Sequence, residues 1–166
     1  VFAFLGIAAV MGVVVFAIRG WMILVWALAA LLIGASYSGG PLKLGFRGLG
    51  ELVIFVMFGP LMMSGVYYSI TGVLDWKIWL LSTAVGLLVM NIVYSHSVLD
   101  AVPDKKMGKT TMAHLMGGKK GQIALSGFAN IAPYFIVVTG VALGLLPWAY
   151  LAVLLVMPVS LWLVFS

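Results

Sequence analysis

Six apolar runs, each about twenty residues long, restrict the folds that this chain can adopt. A helix needs about 20 apolar residues to cross a hydrocarbon layer that is roughly 30 Å thick. None of the runs alternates apolar and polar residues as barrel strands do, so helices are the spanning elements that we expect. The sequence therefore predicts an all-α, multi-span transmembrane bundle in one domain over residues 1–166. The six predicted spans lie near residues 1–18, 21–37, 51–70, 77–96, 121–143 and 147–165.

Composition excludes a soluble globular domain. Hydrophobic residues make up 64% of the chain, charged residues only 8%, and the mean hydropathy is +1.24. This leaves too little polar surface to cover a globule of this size. With no cysteine in the sequence, disulfides and thiolate metal sites are excluded as well. The chain begins at Val1, already within an apolar run and without a basic leader, so we expect it to be part of a longer protein.

The charged residues are distributed unequally between the two sides of the predicted bundle. Six antiparallel spans place the long loops 38–50 and 97–120 on one side, which we call the loop side. The opposite, or turn side, has only short connections, and its Arg19, Lys77 and Asp75 sum to +1. The loop side has seven cations and three acids, which leaves +4. These residues are Lys43, Arg47, Lys105, Lys106, Lys109, Lys119 and Lys120, with Glu51, Asp100 and Asp104.

By the positive-inside rule, the loop side faces the cytoplasm, and we expect a multi-pass protein of the cell's inner membrane. A solvated cytoplasmic face would by itself explain the excess of cations. Long polar loops on one side only, however, also indicate that the function lies there.

Asp100 and Asp104 are the first candidate site residues. Four residues apart on a helix, the two side chains would share one face. Paired carboxylates without His or Cys partners suit Mg²⁺, which completes its shell with water and phosphate oxygens. Pro103 makes this spacing less regular, because it favours a kink or a new helix start. The alternative is a solvated helix face, which is the usual meaning of such spacing in soluble proteins.

Cations surround this pair in the sequence and suit a substrate with clustered negative oxygens, such as a diphosphate. Lys43, Arg47 and Lys109 sit among glycines and prolines that would shape a loop, so they are candidate ligands for it. The alternative reading for the remaining cations is attachment to anionic lipid headgroups. These remaining cations are Lys105, Lys106, Lys119 and Lys120.

Several other polar residues are weaker candidates for a role in the site. Asn91 could orient a substrate or bond a neighbouring helix, and His96 precedes Asp100 by one turn and could line the site. Thr110 or Thr111 is a predicted cap of a short surface helix, and His114 is predicted to be a surface residue of that helix.

Two segments, "YSGGPLKLGFRGLGE" (37–51) and "NIVYSHSVLDAVPDKKMGKTTMAHLMG" (91–117), resemble the UbiA superfamily of intramembrane prenyltransferases. The nearest branch is the dihydroxynaphthoate polyprenyltransferases of menaquinone synthesis. The resemblance implies nine transmembrane helices and two aspartate-rich cytoplasmic motifs that hold Mg²⁺ and the diphosphate of a polyprenyl donor. The chain has only the second motif, so we expect it to hold helices three to eight of that fold.

The resemblance also implies roles for individual residues. Tyr37, Lys43 and Arg47 match a tyrosine and basic residues that contact diphosphate, and Lys109 matches the basic residue after the second motif. Leu99 stands where many members carry Arg, and Lys105 or His96 could fill that contact.

The implied activity is Mg²⁺-dependent prenyl transfer from a polyprenyl diphosphate to an aromatic acceptor within the bilayer, with no nucleic-acid partner. A hydroxybenzoate, a homogentisate, a glycerol-phosphate lipid and a haem remain open as alternative acceptors to a naphthoate. A transporter or channel, or a non-catalytic fragment that binds isoprenoid lipid, are the alternative functions.

Overall fold

A computed structural model describes residues 2–39 and 41–165. The described residues form helices joined by loops, with one isolated β-bridge between two loops. Two 3₁₀ segments lie between α-helices: Leu44–Phe46 in the first long loop and Trp148–Leu155 before the last helix. The helices are α1 (Phe2–Arg19), α2 (Met22–Ser38), α3 (Gly50–Thr71), α4 (Lys77–Leu99), α5 (Ala101–Lys106), α6 (Met112–Leu115), α7 (Lys119–Ala142) and α8 (Met157–Phe165).

Four of these helices, α1, α3, α4 and α7, are long and apolar enough to cross a membrane. The α2 helix is equally apolar but has only 17 residues. The ends of these five helices lie within three residues of the bounds predicted from the sequence. The all-α membrane bundle expected from the sequence is thus confirmed.

The sixth predicted span, 147–165, is not a single α-helix. A 3₁₀ segment covers Trp148–Leu155, and α8 begins only at Met157. Pro158 lies in the first turn of α8, where a missing backbone N–H breaks no intrahelical bond, so it favours a helix that starts there. The apolar composition predicted the extent of this last region correctly, but the region is divided into a 3₁₀ segment and an α-helix near Pro158.

The α3 and α4 helices cross at very close range at two glycines. A Cβ atom added to Gly59 would lie 2.6 Å from the Ser82 carbonyl oxygen and 2.8 Å from the Gly86 Cα. Around this point α3 widens into a π segment, Met57–Leu61, which contains Pro60. Small residues allow this approach, which is the usual way that membrane helices pack.

The α4 helix also packs against α7. Leu87 and Met90 of α4 form an apolar cluster with Ala129 of α7, and Phe55 of α3 packs against the same cluster. The α4 helix therefore lies between α3 and α7. The aspartate pair follows directly after its end on the loop side.

On the turn side, the first two helices attach to α3 by polar contacts. The Arg19 Nε atom donates to the Ser69 carbonyl oxygen at 2.9 Å, and its Nη2 atom donates to the carbonyl of Ile70. From α2, the Trp26 indole donates to the Ser64 hydroxyl at 2.9 Å. These bonds fix α1 and α2 against the second half of α3.

Candidate functional site

The two long loops contact each other directly through their backbones. The Gly48 N–H donates to the Thr110 carbonyl oxygen at 2.8 Å, and the Thr110 N–H donates to the Phe46 carbonyl oxygen at 2.9 Å. This pairing forms a parallel β-bridge between Arg47 and Thr110. Residues more than sixty positions apart in the sequence are thereby brought together on the loop side.

Glycines shape the first loop around the ring of Tyr37. A Cβ atom at Gly45 would lie 3.2 Å from the Tyr37 Cζ atom, and one at Gly50 would lie 3.5 Å from its Cε2 atom. Lys43 and Arg47 are both exposed, and the Lys43 backbone has a φ of 42° in the left-handed region. The loop thus presents two cations at its surface around a half-buried tyrosine.

The second loop begins with a break between two helices. The α4 helix ends at Leu99, and α5 starts at Ala101 after Asp100, two residues before the start predicted at Pro103. Pro103 sits in the first turn of α5, where its missing N–H is not needed. Asp100 is exposed, whereas Asp104 is only 5% exposed. The two predicted metal ligands therefore lie in different environments.

Asp104 forms an ion pair with a predicted diphosphate ligand. The Lys109 Nζ atom lies 2.9 Å from the Asp104 Oδ2 atom. Lys109 directly precedes Thr110, so this ion pair is adjacent to the bridge that joins the loops. The structure thus places Asp104 and Lys109 close to the Arg47 backbone.

A short helix, α6, follows the bridge and is capped as the sequence predicts. The Thr111 N–H donates to the Nδ1 atom of His114 at 3.1 Å. The His114 Nε2 atom then donates to the Ala101 carbonyl oxygen at 2.8 Å. His114 is half-buried and connects α6 to α5, whereas the sequence predicted a surface residue.

Glu51 is a residue of this region to which the sequence analysis gave no role. It is only 2% exposed, and both of its carboxylate oxygens face the Met112 N–H, at 3.3 and 3.4 Å. An acid in the first turn of a helix is usually exposed, which is why its burial could not be read from the sequence. Its position directly after "GLG", at the end of a loop rich in glycine, was the available signal.

The other predicted residues are more dispersed. The Asn91 Oδ1 atom accepts a bond from the Ser126 hydroxyl at 3.0 Å, which links α4 to α7. His96 is exposed, one turn before Asp100. Lys105 and its neighbour Lys106 line a cavity of about 390 Å³ together with His114, on a different face of α5 from the buried Asp104.

The aspartate pair provides some, but not all, of the ligands that a hard divalent cation needs. Within residues 2–39 and 41–165, no group of three or more His, Asp or Glu side chains converges on a metal position. Asp100 and Asp104 offer carboxylate oxygens, and Mg²⁺ commonly takes its other ligands from water and substrate phosphate. One oxygen of Asp104 is already paired with Lys109, so a cation would share that carboxylate.

Two cavities lie between the helices, and only the second of them is near the loops. One of about 410 Å³ lies between the first three helices and is lined almost wholly by apolar residues such as Ile23, Ala27 and Phe58. Another of about 550 Å³ lies between α4 and α7, near the loop side, and includes Tyr94, Lys119 and Gln122. The described helices thus leave apolar space next to charged loops.

Comparisons with known proteins agree with these features. The model of the UbiA prenyltransferase family matches residues 1–166. A 2-carboxy-1,4-naphthoquinone phytyltransferase of Synechocystis is 29% identical over 84% of the chain and 45% of its own length. The 1,4-dihydroxy-2-naphthoate octaprenyltransferase of Bacillus subtilis is 31% identical over 90% of the chain and 48% of its own length. The protein of that name from Mycobacterium tuberculosis is 30% identical over 77% of the chain and 42% of its own length.

The chain therefore spans somewhat less than half the length of these curated relatives. No solved structure matches it.

Proposed function

Because the chain belongs to the UbiA prenyltransferase family, we propose that the intact protein transfers a polyprenyl group from an isoprenyl diphosphate to an aromatic acceptor. A dihydroxynaphthoate-like acceptor of quinone biosynthesis is the best candidate, because several relatives carry that substrate in their names. The observation that carries this proposal is the bridge between Arg47 and Thr110, which unites the basic first loop with the second loop and its aspartate pair.

In this proposal, the cations of the united loops bind the diphosphate. Lys43 and Arg47 are exposed on the first loop, and Lys109 lies beside the bridge on the second. Arginine can grip a phosphate through two parallel hydrogen bonds, whereas lysine acts as a point charge. Tyr37, held by its glycine neighbours, would border the same pocket.

Asp100 and Asp104 would hold Mg²⁺ in the intact protein. When bound, this ion would supply positive charge where negative charge develops on the departing diphosphate. Lys109 would then contact both the Asp104 carboxylate and the diphosphate, because it already pairs with Asp104 and can also approach a phosphate oxygen. The protein residues thus orient the leaving group at the membrane boundary.

The apolar bundle has two further tasks in this proposal. It would accommodate the isoprenoid tail, for which the cavity of about 410 Å³ between α1, α2 and α3 is chemically suited. It would also keep water away from the allylic cation until the aromatic ring attacks. The loop side would face the cytoplasm of the cell's inner membrane, where a soluble diphosphate headgroup can enter.

Replacement of Asp100 by Ala in the intact protein tests this assignment. We expect Mg²⁺-dependent prenyl transfer to be lost, because one of the two carboxylates for the ion is removed. The matched control is Asp75→Ala, which removes a half-buried acid on the turn side and should leave turnover unchanged. Turnover of Asp100→Ala equal to that of the unmodified protein would refute the proposal.

A further inference from the structure

Glu51 is a buried acid that the proposed chemistry does not use. It is 2% exposed, and the ion pair found among the described residues joins Asp104 and Lys109 rather than Glu51 to a cation. A carboxylate buried in this way normally needs a cation or several hydrogen bonds. Its partner here is the Met112 N–H, which lies between its two oxygens.

The surroundings of Glu51 join three elements of the loop side. Glu51 is the second residue of α3, and Met112 is the first residue of α6. Met112 packs with Ala113 against Tyr94 of α4 in an apolar cluster. The Tyr94 hydroxyl is buried without a hydrogen-bond partner in the described part of the chain and lies within electrostatic range of Glu51. Glu51 therefore lies where α3, α4 and α6 meet.

The Glu51 contact continues the bridge between the loops. Along the first loop, Gly48 binds Thr110, and three residues later Glu51 binds Met112, two residues beyond Thr110. Other contacts hold α6 from different directions, since His114 binds Ala101 of α5 and Gln122 of α7 donates to the Ala113 carbonyl oxygen. Glu51 thus ties α6 to the end of the first loop by a hydrogen bond, beside the packing of Leu115 against Gly48.

We propose that Glu51 is a positioning residue that holds the second loop on the first, so that the cations of both loops address the same diphosphate. The proposal rests on the proposed function. Lys109 immediately precedes Thr110, and Arg47 immediately precedes Gly48, so a shift of α6 against α3 would change the separation of these two cations. A misplacement of about 1 Å far from the reacting atoms can lower a rate about 100-fold.

Two substitutions in the intact protein separate this role from simple support of the fold. Glu51→Ala removes the acceptor for the Met112 N–H, whereas Glu51→Gln keeps one acceptor oxygen and loses the charge. The matched control is Asp75→Ala, because the Asp75 carboxylate also accepts a backbone N–H at a helix start, that of Lys77 at 3.0 Å, but is on the turn side. The measurements are local hydrogen–deuterium exchange and steady-state prenyl transfer.

For Glu51→Ala we expect exchange in peptides covering residues 107–118 to rise about tenfold or more, with no rise in peptides from α7. We also expect kcat/KM for the diphosphate donor to fall about 100-fold. Glu51→Gln should restore most of the protection and come within about tenfold of the original kcat/KM. Asp75→Ala should change neither quantity on the loop side.

Unchanged exchange at residues 107–118 in Glu51→Ala would overturn the positioning role. So would a rise that spreads equally over α4 and α7, because that indicates general loss of packing, or a Gln variant as unprotected as the Ala variant. The exchange measurement does not depend on turnover. If the unmodified protein shows no prenyl transfer, the proposed function fails while the contact of Glu51 with α6 is still decided by exchange.

Discussion

The turn side and the loop side use their charged residues in opposite ways. On the turn side, charged side chains hold the backbone: Arg19 donates to the carbonyls of Ser69 and Ile70, and Asp75 accepts the N–H of Lys77. Each of these charges compensates a helix end whose polar groups lack intrahelical partners. Charge on this side is therefore part of the scaffold.

On the loop side, backbone pairing and the buried Glu51 hold the loops together, and several other charged side chains are left at the surface. Gly48 and Thr110 pair through their main chains, while Lys43, Arg47 and Asp100 are exposed. Because the backbone closes the loops, the exposed Lys43 is available to a ligand, whereas the Arg47 Nη2 atom already donates to the Pro41 carbonyl oxygen at 3.1 Å. The difference teaches that substitutions of charge should affect stability on one side and activity on the other.

The largest effect is expected for Asp104→Asn, which would test the buried carboxylate of the aspartate pair on the loop side. This change keeps the shape of the side chain but removes the charge that pairs with Lys109. We expect kcat to fall about 100- to 1,000-fold, as when a group that stabilises transition-state charge is removed. Asp75→Asn is the matched control on the turn side, and equal turnover in both variants would contradict the comparison.

A second test compares two pairs of loop-side cations. The double variant Lys43→Gln/Arg47→Gln should raise the KM for the diphosphate donor about 10- to 30-fold, because charge-assisted bonds to phosphate are lost. The double variant Lys119→Gln/Lys120→Gln removes the same charge at the start of α7 and should change KM less than about threefold. The measurement is steady-state kinetics at fixed ionic strength, and the reverse order of effects would refute the assignment.

Gly48→Ala tests whether the backbone bridge holds the loop side. Gly48 has a φ of +77°, and a Cβ atom there would collide with the Leu115 side chain of α6. Gly108→Ala is the matched control, because Gly108 has a φ of +71° but open space around its Cβ position. We expect both variants to lose about 1 kcal/mol of unfolding free energy through strain.

Only Gly48→Ala should also lower activity, by about tenfold, because only there must a side chain of α6, that of Leu115, shift away from the first loop. Thermal unfolding in detergent and initial rates of prenyl transfer measure the two effects. Similar activities in the two variants would show that α6 does not need this close contact.

The smallest effect on activity is expected on the turn side. Arg19→Met removes the bonds to the last carbonyls of α3 and should lower the unfolding free energy by about 1–2 kcal/mol. Prenyl transfer measured below the unfolding transition should stay within about twofold of the original rate. A large loss of turnover with little loss of stability would reverse the comparison between the two sides.

Much of the fold could be predicted because long apolar runs have few alternatives in a membrane. The runs gave five helices nearly to the residue, and Thr111 was correctly predicted as a cap. The last span was mispredicted because hydropathy does not register the missing N–H of Pro158. Composition measures how well a segment dissolves in lipid, but it does not measure whether its hydrogen bonds are continuous.

The candidate site was less predictable, because tertiary contacts decide which polar residues are buried. Asp100 and Asp104 look equivalent in sequence, but the helix break at Asp100 leaves one exposed and buries the other. Glu51 looks like an ordinary first-turn acid until Met112, 61 residues later, is placed against it. The roles assigned to Tyr37 and the loop cations remain predictions.

At Lys43, the left-handed backbone conformation lowers the stability of the fold, while the side chain is the one proposed to bind the diphosphate. A glycine there would adopt the same conformation without the steric penalty that every side chain with a Cβ atom meets. Selection for heat resistance alone would therefore favour Lys43→Gly, at the expense of a cation that we propose binds the diphosphate. Attempts to make this protein more robust should leave that position untouched and look for gains among the turns of the opposite side.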